Sequence, residues 1–135
     1  MLKLNEMKVG DIVMAEYDSQ LHEGEITDVD KIDNKVQIMT SEDQEFWYDM
    51  QHIQPIPLDE GQLFKLGFQK QVLPDGGIKY LKDAFRILLH KPDDFSNFEI
   101  WYREDQRHIG TPIFVHDLQN KYMAMTKVVL AKGEL

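Results

Sequence analysis

Three aspartates in "DVDKIDN", namely Asp28, Asp30 and Asp33, come nearest in this sequence to a recognisable chemical motif. A calcium loop needs regularly spaced oxygen ligands, a glycine at its sharp turn and a glutamate at position twelve. Counted from Asp28, position twelve is Met39 and the glycine is missing, so the segment reads as a solvated hairpin. The five histidines, His22, His52, His90, His108 and His116, show no H-E-x-x-H or H-x-H spacing. Cysteine is absent, which removes disulfides, thiolate ligands and thiol nucleophiles. Ser19, Ser41 and Ser96 stand outside any G-x-S-x-G, and no glycine-rich phosphate loop follows a strand pattern. Glu42, Asp43 and Glu45 flank a turn and are expected to be hydrated, without the cleft a general acid needs. The expectation is a protein with no enzymatic activity, no metal and no cofactor.

Two tryptophans are more informative. Trp47 is out of phase with Phe46, Tyr48 and Met50, and Trp101 with Phe98, Ile100 and Tyr102. Charges flank each on its own side: Asp49 beside Trp47, and Glu99 and Arg103 beside Trp101. A tryptophan on a polar face marks a contact surface, covered by a partner or by another part of the chain. Trp47, Asp49, Trp101 and Arg103 are therefore the candidate partner-binding residues. Stacking on nucleic-acid bases would also require basic residues along the backbone. The first 60 residues offer only Lys3, Lys8, Lys31 and Lys35.

The net charge of −9 is unevenly placed: residues 1–60 hold 15 acidic against 4 basic side chains, and residues 61–135 hold 9 against 11. Glu23, Glu25, Asp28, Asp30 and Asp33 are the candidate acidic surface. Such a half repels phosphate backbones and anionic membranes and attracts a basic partner. No run approaches the roughly 20 apolar residues of a spanning helix. The N-terminus lacks the apolar core of a signal peptide, so a cytoplasmic protein is expected.

Positioning elements follow from periodicity. Four or five short strands lie before residue 57, among them "DNKVQIMTS", with Val36, Ile38 and Thr40 on one face, and "QEFWYDMQHI", with Phe46, Tyr48 and Met50 on one face. Gly24 suits a bulge or bend. Then "IQPIPLDEGQLFKLGF" spells a bounded helix over residues 60–66. Asp59 is its N-cap, Gln62 completes a capping box, Leu58 staples onto Leu63, and Gly67 stops it with Phe68 touching Leu63. Pro74-Asp75-Gly76-Gly77 marks a turn, and "DAFRILLHK" and "NFEIWYRED" alternate as strands. "HIGTPIFV" is a further short strand candidate, and Val115, Leu118, Tyr122 and Met125 fall at helical spacing.

Two blocks, Ile53–Phe68 and Val115–Thr126, resemble an uncharacterised family of small bacterial and phage-encoded proteins. Its marks are a central I-x-P-I-P-L-x-E-x-x-L-x-x-x-G-F run and a closing V-H-x-L-Q-N-x-Y-x-A-x-T helix. The "KVGDIV" opening, residues 8–13, is similar too. The position after Glu60, usually bulky in that family, is Gly61 here, which weakens the helix by up to about 1 kcal/mol relative to alanine. The resemblance implies a phage or mobile-element context and no catalytic residues.

The resulting expectation is an α+β chain in two parts. Residues 1–57 form a small SH3-like β-barrel or curled sheet. Residues 58–135 form the short capped helix, a β-meander and a C-terminal helix, packed on the first module. The function expected is a non-enzymatic protein-interaction module with a basic protein partner and no membrane association. Two alternatives stand beside it. One is an acidic, nucleic-acid-mimicking decoy in phage–host conflict. The other is a nucleic-acid-binding accessory protein that uses Trp101, Tyr102, Arg103 and Arg107 of the second half.

Overall fold

Alternating apolar residues and turn chemistry build two antiparallel sheets, each of five strands, joined by a short helix and closed by a longer one. The structure, a computed structural model, describes residues 2–40 and 44–132. Ser41, Glu42 and Asp43 therefore lie outside the described residues. The chain divides into two units, Met1–Ile56 and Pro57–Leu135.

The first unit contains β1 (Ile12–Tyr17), β2 (Gln20–Asp30), β3 (Lys35–Thr40), β4 (Glu45–Asp49) and β5 (Ile53–Gln54), in sheet order β4-β3-β2-β1-β5. The β1–β2 turn places Asp18 and Ser19 both at positive φ, as a two-residue hairpin turn of matching twist requires. In the next hairpin, the Asp30 carboxylate accepts the N–H groups of Ile32 (2.9 Å) and Asp33 (3.1 Å) and so ties the loop back. Val13, Ala15, Ile26, Val36, Ile38 and Tyr48 point inward and are buried, as the alternation of "DNKVQIMTS" foretells. Phe46 keeps its expected row, opposite Ile38, but is 41% exposed. It stands on edge strand β4 and stacks on Tyr17 with centroids 5.4 Å apart. No closed barrel is found among the described residues.

The bulge in β2 falls at Thr27, between Ile26 and Asp28, and not at Gly24. Gly24 serves another need. A Cβ there would come within 2.5 Å of Ile38 Cγ2 and 2.8 Å of the Met39 carbonyl oxygen, so only glycine lets β3 approach this closely.

The second unit opens with α1 (Glu60–Lys65). The Asp59 carboxylate accepts the Gln62 N–H at 2.8 Å, Gly67 takes φ +91°, and the Phe68 N–H reaches the Leu63 carbonyl at 3.0 Å. Both ends of the helix are therefore satisfied within one turn. The capping box is only half made, because Gln62 Oε1 finds no donor. Strands β6 (Gln69–Val72), β7 (Ile78–Lys82), β8 (Phe85–Leu89), β9 (Phe98–Tyr102) and β10 (Asp105–Ile109) follow in meander order. The expected strand "HIGTPIFV" is shifted: β10 ends at Ile109 and starts right after a two-residue turn at Arg103-Glu104. Helix α2 (Val115–Thr126) lays Leu118 and Tyr122 on the apolar row of the sheet, with the Tyr122 ring 4.7 Å from Phe85. Its first turn is held by the Asp117 carboxylate, which accepts the Phe114 N–H at 2.9 Å.

Candidate functional site

Strand register decides which candidate residues meet. Across β2, β3 and β4, Asp30 stands opposite Lys35 and Lys35 opposite Asp49. In the next row Asp28, Gln37 and Trp47 are aligned, and in the third Glu25, Met39 and Glu45. All nine side chains belong to the face that turns away from the core row of Val36, Ile38 and Tyr48. Trp47 lies in the middle row, 44% exposed, beside Met39 at 40%.

The bulge makes this face. Without an extra residue, Asp28 would share the parity of Ile26 and point into the core. Thr27 takes up the extra position, with its hydroxyl donating to the Gln37 carbonyl at 3.2 Å. Past it, Val29 returns to the core side, and Asp28 and Asp30 join Glu25 outside. Among the described residues of β2–β4 the face carries Glu25, Asp28, Asp30, Glu45 and Asp49 beside the cation Lys35, and Glu23, opposite Met14 of β1, lies one row beyond. The Lys35–Asp49 pair, at 3.9 Å and half-exposed on both sides, cancels little of that charge. By unit the asymmetry is complete: residues 1–56 hold 13 acidic and 4 basic side chains, a balance of −9, and residues 57–135 hold 11 of each.

Not every candidate joins this face. Asp33 sits in the β2–β3 turn, where its own N–H is bound by Asp30. Trp101 and Arg103 belong to the second unit. Arg103 is not beside Trp101, contrary to simple alternation. It occupies the β9–β10 turn at φ +56°, and its guanidinium lies over the Tyr102 ring at 5.1 Å. The cation over Trp101 is Arg86, at 5.5 Å from the ring centroid and opposite it across β8–β9. Met39, Glu45, Gln37 and Lys35 escape a reading of single strands, because only the pairing of β3 with its neighbours brings them beside Trp47. Arg86 alternates with Phe85 and Ile87 in "DAFRILLHK", but only the pairing of β8 with β9 sets it against Trp101.

A polar cluster anchors α1 to the second sheet. Glu60 accepts from Lys70 at 2.7 Å and from the Tyr80 hydroxyl at 3.0 Å. The Lys70 bond, then the Tyr80 bond, holds the Glu60 carboxyl below the usual glutamate range. Burial, reinforced by Glu60, pushes the Tyr80 hydroxyl well above its ordinary value. Among the described residues no group of three His, Asp or Glu side chains is arranged to hold a metal ion. No described helix is long and apolar enough to cross a membrane. Set against known proteins, the chain matches no family model, no curated protein and no solved structure.

Proposed function

We propose that the first unit is a non-enzymatic interaction module that docks a basic segment of another protein on the outer face of β2, β3 and β4. The observation that carries this is the row Asp28–Gln37–Trp47 between flanking rows of carboxylates. The acidic side chains Glu25, Asp28, Asp30, Glu45 and Asp49 steer a cationic segment and fix its register. Trp47 supplies the anchor: an exposed indole takes a lysine or arginine over its face for about 0.5–1 kcal/mol, and more once water is excluded. The strand order β4-β3-β2-β1-β5, with a 3₁₀ turn at Met50–His52 before β5, supports an SH3-like reading of this unit. The resemblance of residues 53–68 and 115–126 to phage and bacterial proteins supports a mobile-element setting.

Calorimetric titration of an arginine- and lysine-rich peptide into the protein and into Trp47→Ala tests the proposal. Expected is saturable binding that weakens with salt and is lost in Trp47→Ala without a change in melting temperature. Peptide binding unaltered by Trp47→Ala would overturn it. A second reading, the acidic decoy, rests on the −9 balance of the unit and needs charge alone. It expects a DNA-binding protein to be captured equally well by Trp47→Ala. The nucleic-acid reading of the second half has weaker support, since Arg107 pairs with Asp105 at 3.2 Å and the unit is charge-balanced. It expects a salt-sensitive shift with single-stranded oligonucleotides.

A further inference from the structure

Helix α2 covers one face of the second sheet, and the opposite face carries a cavity of about 200 Å³ lined by Leu73, Lys79, Arg86, Leu88 and Trp101. Register explains the grouping. Lys79 stands opposite Leu88, and one row further Arg86 stands opposite Trp101. Leu73 is brought over them by the β6–β7 turn, where its N–H donates to the Gly77 carbonyl at 2.8 Å.

Two features of this cavity are unusual. Trp101 Nε1 and Arg86 Nε are both buried and both without a hydrogen-bond acceptor. Buried N–H groups are nearly always paired, and an orphan is costly enough to call for a reason. The cations are also uncompensated: neither Lys79 nor Arg86 has a carboxylate partner among the described residues. Glu99, which shares their face, is taken by Gln106 and by His90 at 3.4 Å. Arg86 is otherwise engaged only through the Trp101 ring and an Nη2 bond to the Arg103 carbonyl at 3.2 Å.

We propose that this cavity is a binding site for a small carboxylate with an apolar body. The carboxylate places its single negative charge between Lys79 and Arg86, and a small shift of the two side chains turns the buried indole and guanidinium N–H groups toward it. The hydrocarbon part lies against Leu73, Leu88 and the indole. The volume is below the roughly 300–1,000 Å³ of sites for drug-sized ligands, which limits the occupant to a free short-chain or aromatic acid, or the last residue of a chain.

The Trp101 indole N–H resonance reports occupancy directly. Hexanoate or benzoate is expected to move it saturably below about 10 mM, a range typical of fragment-sized ligands. Hexanamide, with the same body and no charge, and inorganic phosphate, with charge and no body, are expected to leave it in place. Arg86→Gln is expected to weaken the acid at least about tenfold. Lys79→Gln gives the same comparison if Arg86→Gln does not fold. A short peptide with an apolar C-terminal residue, compared with its amidated form, tells a free acid from a chain terminus, and saturable binding of either acid supports the site. No saturable shift with any of these acids, an equal response to phosphate or hexanamide, or undiminished binding by the folded variant would overturn the proposal.

Discussion

Each unit of this protein carries one tryptophan on the outer side of a five-stranded sheet, and the two are treated in opposite ways. Trp47 stands on edge strand β4, exposed among carboxylates, with no cation over its ring among the described residues. Trp101 stands on β9, with strands on both sides, half-buried under Arg86. The same residue type at the same strand parity is an open anchor in one case and the wall of a cavity in the other. What differs is the neighbour across the strand pair: Gln37 is short and neutral, and Arg86 is long and cationic enough to lie over the indole. Cross-strand partners, more than the residue itself, set what an outer-face aromatic can do.

Removing core support from the second unit should have the largest effect. Leu63 is fully buried between the two ends of α1, so Leu63→Ala is expected to cost about 2–5 kcal/mol in chemical denaturation. A loss under about 1 kcal/mol would mean that the bounded helix contributes little to that unit. The first unit should be more sensitive to added volume. Gly24→Ala drives a methyl into Ile38 and the Met39 carbonyl and is expected to cost about 1–3 kcal/mol. A neutral Gly24→Ala would show that β2 and β3 can separate without penalty.

The tryptophans themselves come next. Trp101→Ala is expected to destabilise by about 2 kcal/mol, less than a fully buried ring, and Trp47→Ala by no more than about 0.5 kcal/mol. Acrylamide quenching of the single-tryptophan variants Trp47→Phe and Trp101→Phe checks the same contrast. Emission from Trp101 should be blue-shifted and protected, and emission from Trp47 red-shifted and readily quenched. Equal quenching would erase the distinction between the two faces.

The smallest effect is a pH dependence confined to the second unit. Lys70 and Tyr80 lower the carboxyl pKa of Glu60 in the folded state, so its contribution is complete above the ordinary glutamate pKa. It is lost as pH falls from there through the depressed folded value. Glu60→Gln should flatten that part of the acid limb and leave stability near neutrality changed only slightly, since the group is open to solvent. An acid limb identical in the two proteins would remove Glu60 from the account.

Local chemistry was readable in advance and long-range pairing was not. Asp59, Leu63, Gly67 and Phe68 bound α1 through contacts a few residues apart, and the turn at Pro74–Gly77 and the period of Val115–Thr126 are equally local. The acidic residues could be named, but their common face could not. It depends on the bulge at Thr27, a β-branched residue that ordinarily favours regular strand. The Arg103-Glu104 turn contains none of the usual turn residues. Pairing of β9 with β10 over five residue pairs imposes the left-handed backbone there. Gln62 has the right type and position for a capping box, yet its oxygen is unpaired.

The pairing of β5 with β1 bears on the order in which the chain can assemble. Ile53 and Gln54 close on Ala15 and Met14 from the far end of the unit, whereas every strand of the second sheet pairs with its neighbour in sequence. Loop-closure entropy makes that one distant contact slow relative to the hairpins around it. During synthesis from the N-terminus, the β1 edge stays open until residues 53 and 54 have left the ribosome. The nascent β1–β4 meander leaves that edge open to strand addition by another chain, and an early pulse of hydrogen exchange would find the β1 amides that face β5 labelled after those of β3 are protected.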